Sequence, residues 1–436
     1  MQQQQDTSLI WFRNDLRTQD NTVLLSALST SKQVIGVYFL EPNQFKINKY
    51  GFKKMEKYRV KFLLETLNCL QQELHKLNIT LLVYQDSAKE QMKHIVETYN
   101  VSTIYLQKEW TDEENTSFND VKDSLNETVI FHDIYDQFLF HPEDVPFHFK
   151  DTPKVFTQFR KTLEKKAIVR NLIKIQPQSA TYLLKTTTKI PTLRDLGYED
   201  FEVDKRSVFP FLGGENAAFQ RLEHYFFETK SLGVYKKTRN GLLGLNYSSK
   251  FSPWLANGSI SARQIYWNIK EFESQFFSNQ STYWLIFELI WRDFFKYVSL
   301  KHANEIFKID GILKQQYQWS DHQKYVDEWI HGETSDDFVN ANMLELKNTG
   351  WMSNRGRQNV ASFFAKTQKL DWRIGAAYFE SMLIDYDVHS NYGNWMYVSG
   401  VGNDPRDRVF NVKLQAERYD SNNKYRKQWL QSKLFK

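Results

Sequence analysis

One cysteine, Cys69, stands in 436 residues, so no internal disulfide can form and a reducing, cytoplasmic setting is expected. A lone cysteine cannot build a thiolate metal site, the ten histidines are scattered, and no H-E-x-x-H occurs. No metal is therefore expected. No apolar run approaches the roughly 18 residues that a membrane helix needs, which excludes a helical spanning protein. Glycine is sparse, at 17 residues, and forms neither a G-x-G-x-x-G fingerprint nor a G-x-x-x-x-G-K-[ST] loop. A G-x-S-x-G elbow is missing too, so the ordinary hydrolase reading fails. The polar opening Met1–Asp6 is unlike a secretory signal, and Ser432-Lys433-Leu434 is followed by Phe435-Lys436, so a peroxisomal address is not expected.

Aromatic residues are abundant: 33 Phe, 23 Tyr and 12 Trp, or 16% of the chain. Such a surplus implies a crowded interior, a flat ligand, or both. Net charge is +5, with the basic excess confined to the half that begins at Arg206, where an anionic partner would dock. At this length two domains are expected.

The first 135 residues alternate two periods. Short apolar runs at Ser8–Phe12, Val34–Leu40, Ile79–Tyr84, Ser102–Leu106 and Val129–His132 predict strands, and Met55–Leu77 and Ala88–Tyr99 predict helices between them. That alternation implies a parallel sheet covered on both faces, a Rossmann-like α/β domain without its glycine loop. Residues 136–205 hold five of the nine prolines and predict a connector draped over the surface, with a helix near Val155–Lys166. From residue 206 to 436 the period is helical, with apolar spacing near 3.6 in Ala217–Thr229, Ala262–Ser274, Thr282–Val298, Asp336–Asn348, Arg357–Thr367 and Arg373–Leu383. An α/β domain, a connector and an all-α domain is the expected architecture.

Chemistry concentrates in the helical part. In Tyr247-Ser248-Ser249-Lys250-Phe251-Ser252-Pro253, hydroxyls and a lysine precede a proline suited to the first turn of a helix, with Ser252 expected as its cap. Such a start can receive an anion, although a plainly capped helix reads the same way. Glu288 and Arg292 stand at i and i+4 among Trp284, Phe287, Trp291 and Phe294. On a surface they would be an ordinary helix ion pair; in these surroundings they are expected to be buried and functional. Gly350–Gln358 packs Asn354, Arg355, Arg357 and Gln358 at a helix start, and Asp385, Asp387 and Asn391 run into Trp395. Polar groups clustered after aromatic helices suggest a pocket in a bundle.

Taken in order, Tyr235…Thr238-Arg239-Asn240, Ser248–Pro253, Glu288-Leu289-Ile290-Trp291-Arg292, Gly350–Gln358 and Asp385…Asn391…Trp395 resemble the photolyase/cryptochrome flavoprotein family. The opening Trp11-Phe12-Arg13-Asn14-Asp15-Leu16-Arg17 resembles that family's first strand and turn. Photolyases of the (6–4) type carry histidines where this chain has Ser353, Asn354 and Gln358. Cyclobutane-dimer photolyases of duplex DNA typically have Met and Trp where Gln358 and Tyr397 stand. These positions, with Gly400–Arg406 and no long tail after the helical domain, resemble DASH-type cryptochromes.

The resemblance implies one FAD in the helical domain, held by Tyr235, Ser248, Ser249, Lys250, Phe251, Ser252, Leu285, Glu288, Arg292, Asn354, Arg357, Asp385, Asp387 and Asn391. It implies that Arg357 and Asp385 pair beside the flavin ring and that Asn391 faces it. It implies light-driven splitting of cyclobutane pyrimidine dimers, mainly in single-stranded DNA, with Glu288 and Asn354 catalytic. Arg239, Trp291, Arg355, Gln358 and Tyr397 would then contact the DNA or dimer. Trp395, Trp372 and Trp319 would carry electrons from the surface, and Glu109 would hold a methenyltetrahydrofolate antenna. A monomer is expected. A blue-light sensor with little or no repair shares the same flavin site and remains the alternative.

Overall fold

A computed structural model describes residues 5–431. Met1–Gln4 and the Ser432-Lys433-Leu434 ending lie outside the described residues. Five strands, β1 (Gln5–Trp11), β2 (Ser31–Phe39), β3 (Leu81–Tyr84), β4 (Thr103–Gln107) and β5 (Ile130–Ile134), form one parallel sheet in the order β3-β2-β1-β4-β5. The expected strands differ from these by at most three residues at either end. Helices α1 (Thr22–Thr30), α2 (Lys57–Lys76), α3 (Ala88–Tyr99) and α4 (Asp112–Ser124) supply the crossovers. The order reverses between β1 and β4, so the crevice at their carboxyl ends is where this kind of sheet receives ligands. Helix α4 has no apolar stripe to betray it: Val121 is its one buried residue, and three acidic residues in its first turn favour it through the helix dipole.

The connector does more than drape. Gln178 exchanges hydrogen bonds with both backbone groups of Val34 at 2.8 and 3.1 Å, and Thr188 accepts from the Val83 N–H on β3 at 2.5 Å. It thereby covers an edge that would otherwise template pairing. Its helix α5 (Phe156–Lys166) sinks Phe156, Phe159 and Leu163 into the helical domain.

That domain comprises α6 (Glu215–Glu223), α7 (Tyr235–Thr238), α8 (Ser252–Ala256), α9 (Ala262–Gln275), α10 (Gln280–His302), α11 (Gln323–His331), α12 (Asp337–Thr349), α13 (Asn354–Ser362), α14 (Trp372–Met382), α15 (Val388–Ser399), α16 (Val412–Tyr419) and α17 (Lys424–Leu430). The expected helices Ala217–Thr229 and Arg357–Thr367 each end in a π turn, His224–Glu228 and Phe363–Thr367, which breaks the 3.6 period. The two domains are pinned by a buried polar knot. Arg263 donates to Asp20 at 2.9 Å and Asp136 at 2.8 Å, and Arg17 also pairs with Asp136 at 2.5 Å, all four at most 3% exposed. None of the helices in residues 5–431 is long and apolar enough to cross a membrane.

Candidate flavin site and adjoining cleft

A cavity of about 520 Å³ opens in the helical domain. One wall is the Ser248–Ser252 segment, which Arg221 braces by donating to the carbonyls of Leu245, Ser248 and Ser249 at 3.0–3.2 Å. Lys250 takes a positive φ of 66°, which a side-chain-bearing residue adopts only under local constraint. Its ammonium is buried without a hydrogen-bond partner, 3.4 Å from the ring centre of Tyr247 and 4.7 Å from that of Trp351. Burial holds it well below the ordinary lysine range. Ser252 is the first residue of α8, not its cap; Phe251 takes that place, and no side chain caps the helix.

Opposite, Arg357 donates to both Asp385 oxygens at 2.9 Å and to the Met352 carbonyl. Asp387 caps α15 through the Ser390 N–H at 2.7 Å and pairs with Lys296 at 3.2 Å. Burial opposes ionisation there, but Lys296, His389 and Arg292 outweigh it and hold Asp387 below the usual carboxylate range. Asn391 does not reach the cavity wall. Helix α15 turns Asp387, Ser390, Asn394 and Tyr397 inward, while Asn391 gives its amide N–H to the Ala376 carbonyl of α14 at 3.0 Å.

The ordinary i, i+4 ion pair between Glu288 and Arg292 does not form. Glu288 accepts from Arg239 at 2.6 Å, while Arg292 turns to the carbonyls of Gln137 at 2.5 Å and Leu255 at 3.2 Å. Burial raises Glu288 above the ordinary carboxyl range, against the pull of Arg239. Trp291 lies flat on Phe156 at 3.7 Å, and Tyr397 meets it edge-on at 5.8 Å, making an apolar corner. Asn354 and Gln358 line the same wall. Arg355 lies off it, donating to Asn240 at 3.0 Å and Gln415 at 3.3 Å.

A second cavity, about 680 Å³, occupies the cleft between the domains at the carboxyl ends of β1 and β4. Glu109 is buried in its wall, accepting from Gln107 at 2.8 Å and Gln137 at 3.5 Å. Burial raises its carboxyl although Lys296 and Arg13 oppose this. Across the cleft His389 stacks on Trp110 at 4.5 Å and hydrogen-bonds Ser299 at 2.7 Å.

The family descriptions "DNA photolyase" and "FAD binding domain of DNA photolyase" match residues 8–179 and 284–433. Cryptochrome DASH of Synechocystis sp. is 43% identical over 430 residues, covering 97% of this chain and 87% of that protein; the Danio rerio protein of that name is 43% identical over 431 residues, covering 97% and 83%. The chain belongs to the photolyase/cryptochrome family, in its DASH branch. The crystal structure of the Synechocystis cryptochrome superposes with a TM-score of 0.92 at 42% identity, covering 99% of this chain and 89% of that one. A class III photolyase from Agrobacterium tumefaciens gives 0.81 at 25% identity, covering 98% and 87%. An archaeal photolyase from Sulfolobus tokodaii, described with two FAD molecules, gives 0.77 at 26% identity, covering 97% and 90%.

The helical domain of this DASH family member is thus an FAD-binding domain, and its cavity suits the cofactor. A buried lysine without a partner, flanked by serines, answers a diphosphate, whose charge would restore the ammonium. The Arg357–Asp385 pair offers a donor and acceptor edge to a flat heterocycle. Behind the cavity, Trp395 rests its ring on Gly375, where a side chain would collide with it, one turn along α14 from Trp372. Ser320, next to Trp319, exchanges backbone hydrogen bonds at 2.8 Å with Lys369 and Asp371, just before Trp372. Among the described residues the rings of Trp395, Trp372 and Trp319 meet other aromatics, Trp329, Tyr392 and Tyr317, rather than one another.

Arg408 and Phe410 line the cavity but escaped sequence reading, and Tyr247 and Trp351, within the quoted motifs, were given no role there. Glu345 lies deeper. It is 1% exposed, raised to about 7 by burial, with one oxygen taking the Tyr425 hydroxyl at 2.6 Å and the other without a partner. A charge set among Met343, Leu344 and Leu346 was the signal that could have found it.

Proposed function

We propose that this chain is a light-driven lyase that splits cyclobutane pyrimidine dimers, chiefly in single-stranded DNA. The observation that carries the reading is the mouth of the flavin cavity, where Glu288, Asn354 and Gln358 adjoin the apolar corner of Trp291 and Tyr397. Bound in its reduced form, FAD would supply the light absorption and the electron that opens the dimer ring and then returns. Glu288 and Asn354 hydrogen-bond the dimer's polar edge, and Trp291 and Tyr397 hold its apolar side. Arg239 acts as a gate on Glu288: a DNA phosphate that draws Arg239 away leaves a carboxyl that burial favours in the protonated form. A protonated Glu288 can donate to a pyrimidine carbonyl and steady the negative charge that develops there. Tyr397 presents less ring than a tryptophan, so a base already unstacked, as in a single strand, is the easier guest.

Trp395, Trp372 and Trp319 pass electrons inward from the surface. The cleft at Glu109 takes a methenyltetrahydrofolate antenna, with the buried carboxyl accepting from its pterin. Both sites are complete within one chain, which supports a monomer; the single cysteine supports the cytoplasm.

The test is illumination of reduced protein with a dimer-bearing oligonucleotide, single-stranded and as a duplex. Repair is expected to be far greater in the single strand. Equal repair would leave an ordinary dimer photolyase, and flavin photochemistry without repair of either would favour a light sensor.

A further inference from the structure

We propose that Tyr317 is the outermost redox residue of this chain, reducing oxidised Trp319 while passing its phenolic proton to Asp407. The inference rests on the tryptophan reading above and extends it by one step. Oxidising an indole makes a radical cation that must lose its N–H proton to become a settled neutral radical. None of the three tryptophans is placed to do so: the Trp395 and Trp319 indole nitrogens are buried without partners, and that of Trp372 donates to the Ile309 carbonyl, which is no base. Trp319 therefore stays cationic and strongly oxidising.

The ring of Tyr317 lies 5.4 Å from that of Trp319, inclined at 66°. Its hydroxyl donates to Asp407 at 3.0 Å. Here a carboxylate stands ready for the proton. Asp407 is fixed in turn by an ion pair with Lys366, and it adopts a positive φ of 42°. Gly400 faces that pair, where a side chain would collide with both Asp407 and Lys366. The Lys366 ammonium also sits 4.7 Å from the Tyr317 ring centre. Two cationic and anionic partners thus hold the phenol against a base rather than leaving it to water.

One electron moves from the phenol to the Trp319 radical cation, and the phenolic proton moves to the free electron pair of the Asp407 carboxylate oxygen. The products are neutral Trp319, a neutral tyrosyl radical and a neutral carboxylic acid, so charge and electrons balance. The Asp407 side chain is 52% exposed and returns the proton to water. Tyr317, 36% exposed, meets solvent, where a small one-electron donor such as a thiol or ascorbate can restore it. A neutral radical at the surface no longer attracts the electron sent inward, so photoreduction outlasts the flash.

Flash excitation of the oxidised, FAD-loaded protein, read by transient absorption and freeze-trapped electron paramagnetic resonance, tests this. The parent is expected to convert a tryptophanyl signal into a tyrosyl one, more slowly in D2O. Tyr317→Phe keeps the ring contact and should lose the tyrosyl spectrum and the solvent isotope effect, leaving a shorter-lived tryptophanyl cation. Asp407→Asn keeps a hydrogen-bond acceptor but removes the base, and should lose the same conversion. A trapped radical and decay unchanged in Tyr317→Phe would return Tyr317 to packing, even with the tryptophans intact. A tyrosyl signal surviving in Trp319→Phe would overturn both this assignment and the tryptophan route.

Discussion

The flavin cavity and the interdomain cleft share Leu255, Ala256, Arg292 and Asp387 in their walls, yet they are built differently. The first draws its lining from residues 235–410, within one domain; the second draws from residues 11–389, across both. In the first, an unpartnered lysine waits for an anion. In the second, charges of both signs stand together: Glu109 feels Lys296 and Arg13, although burial still raises its carboxyl, and Lys54 pairs with Glu113. An open donor set selects its ligand by charge. The cleft offers neutral buried groups instead, such as the unpartnered Gln107 and Gln44 amide oxygens, and its affinity depends on how firmly the domains are docked.

The strongest way to separate the two is Arg263→Ala, which strands Asp20 and Asp136 in the buried knot and should destabilise the protein by about 3–5 kcal/mol. Folate content should fall in this variant while flavin content holds, read from the two absorption bands; parallel loss of both would erase the distinction between the cavities.

Glu345 tests the flavin side. Its carboxyl, at about 7 in the fold against an ordinary 4.5, keeps a proton that the unfolded chain has released across that interval. Stability is therefore lost as pH rises from about 4.5 to 7, and the penalty, of order 3 kcal/mol at most, is complete above it. Glu345→Gln should unfold at a higher temperature than the parent near pH 8 and at the same temperature near pH 4. A pH-independent difference would show that burial of the charge is not what Glu345 contributes.

Glu288→Ala should weaken dimer binding by about 1–3 kcal/mol and lower the repair yield per photon with FAD retained. An unchanged yield would return Glu288 to a plain ion pair with Arg239. The smallest change is Glu109→Gln, which keeps the shape of the cleft: the near-ultraviolet antenna band should be lost, with flavin content unchanged. Folate at full stoichiometry would place the antenna on other residues.

Local pattern made much of this legible. Helix α3 was read to the residue from its 3.6 period, and the strands to within three. The family resemblance pointed to the serine segment, Asp385 and Arg357, because each lies on a short stretch with a distinctive order of residues, and all three line the cavity. Polar α4 was not legible, since its sequence carries no apolar stripe, and spacing along α15 does not say that the Asn391 amide will meet the Ala376 carbonyl of α14.

Alternating periods determined the plan of an α/β part followed by a helical part without any coordinates, because secondary structure and burial follow from short-range periodicity, while the flavin came from the resemblance that five ordered motifs carry. Partnership is another matter. That Glu288 meets Arg239, 49 positions away, rather than Arg292 one turn on, and that Arg221 braces the serine segment, are settled where chain segments cross. A buried charge takes whichever partner the packing brings within reach, and Arg292 finds its carbonyl acceptors at Leu255 of α8 and at Gln137, 155 positions away, only once the helices have packed and the connector has been laid against them.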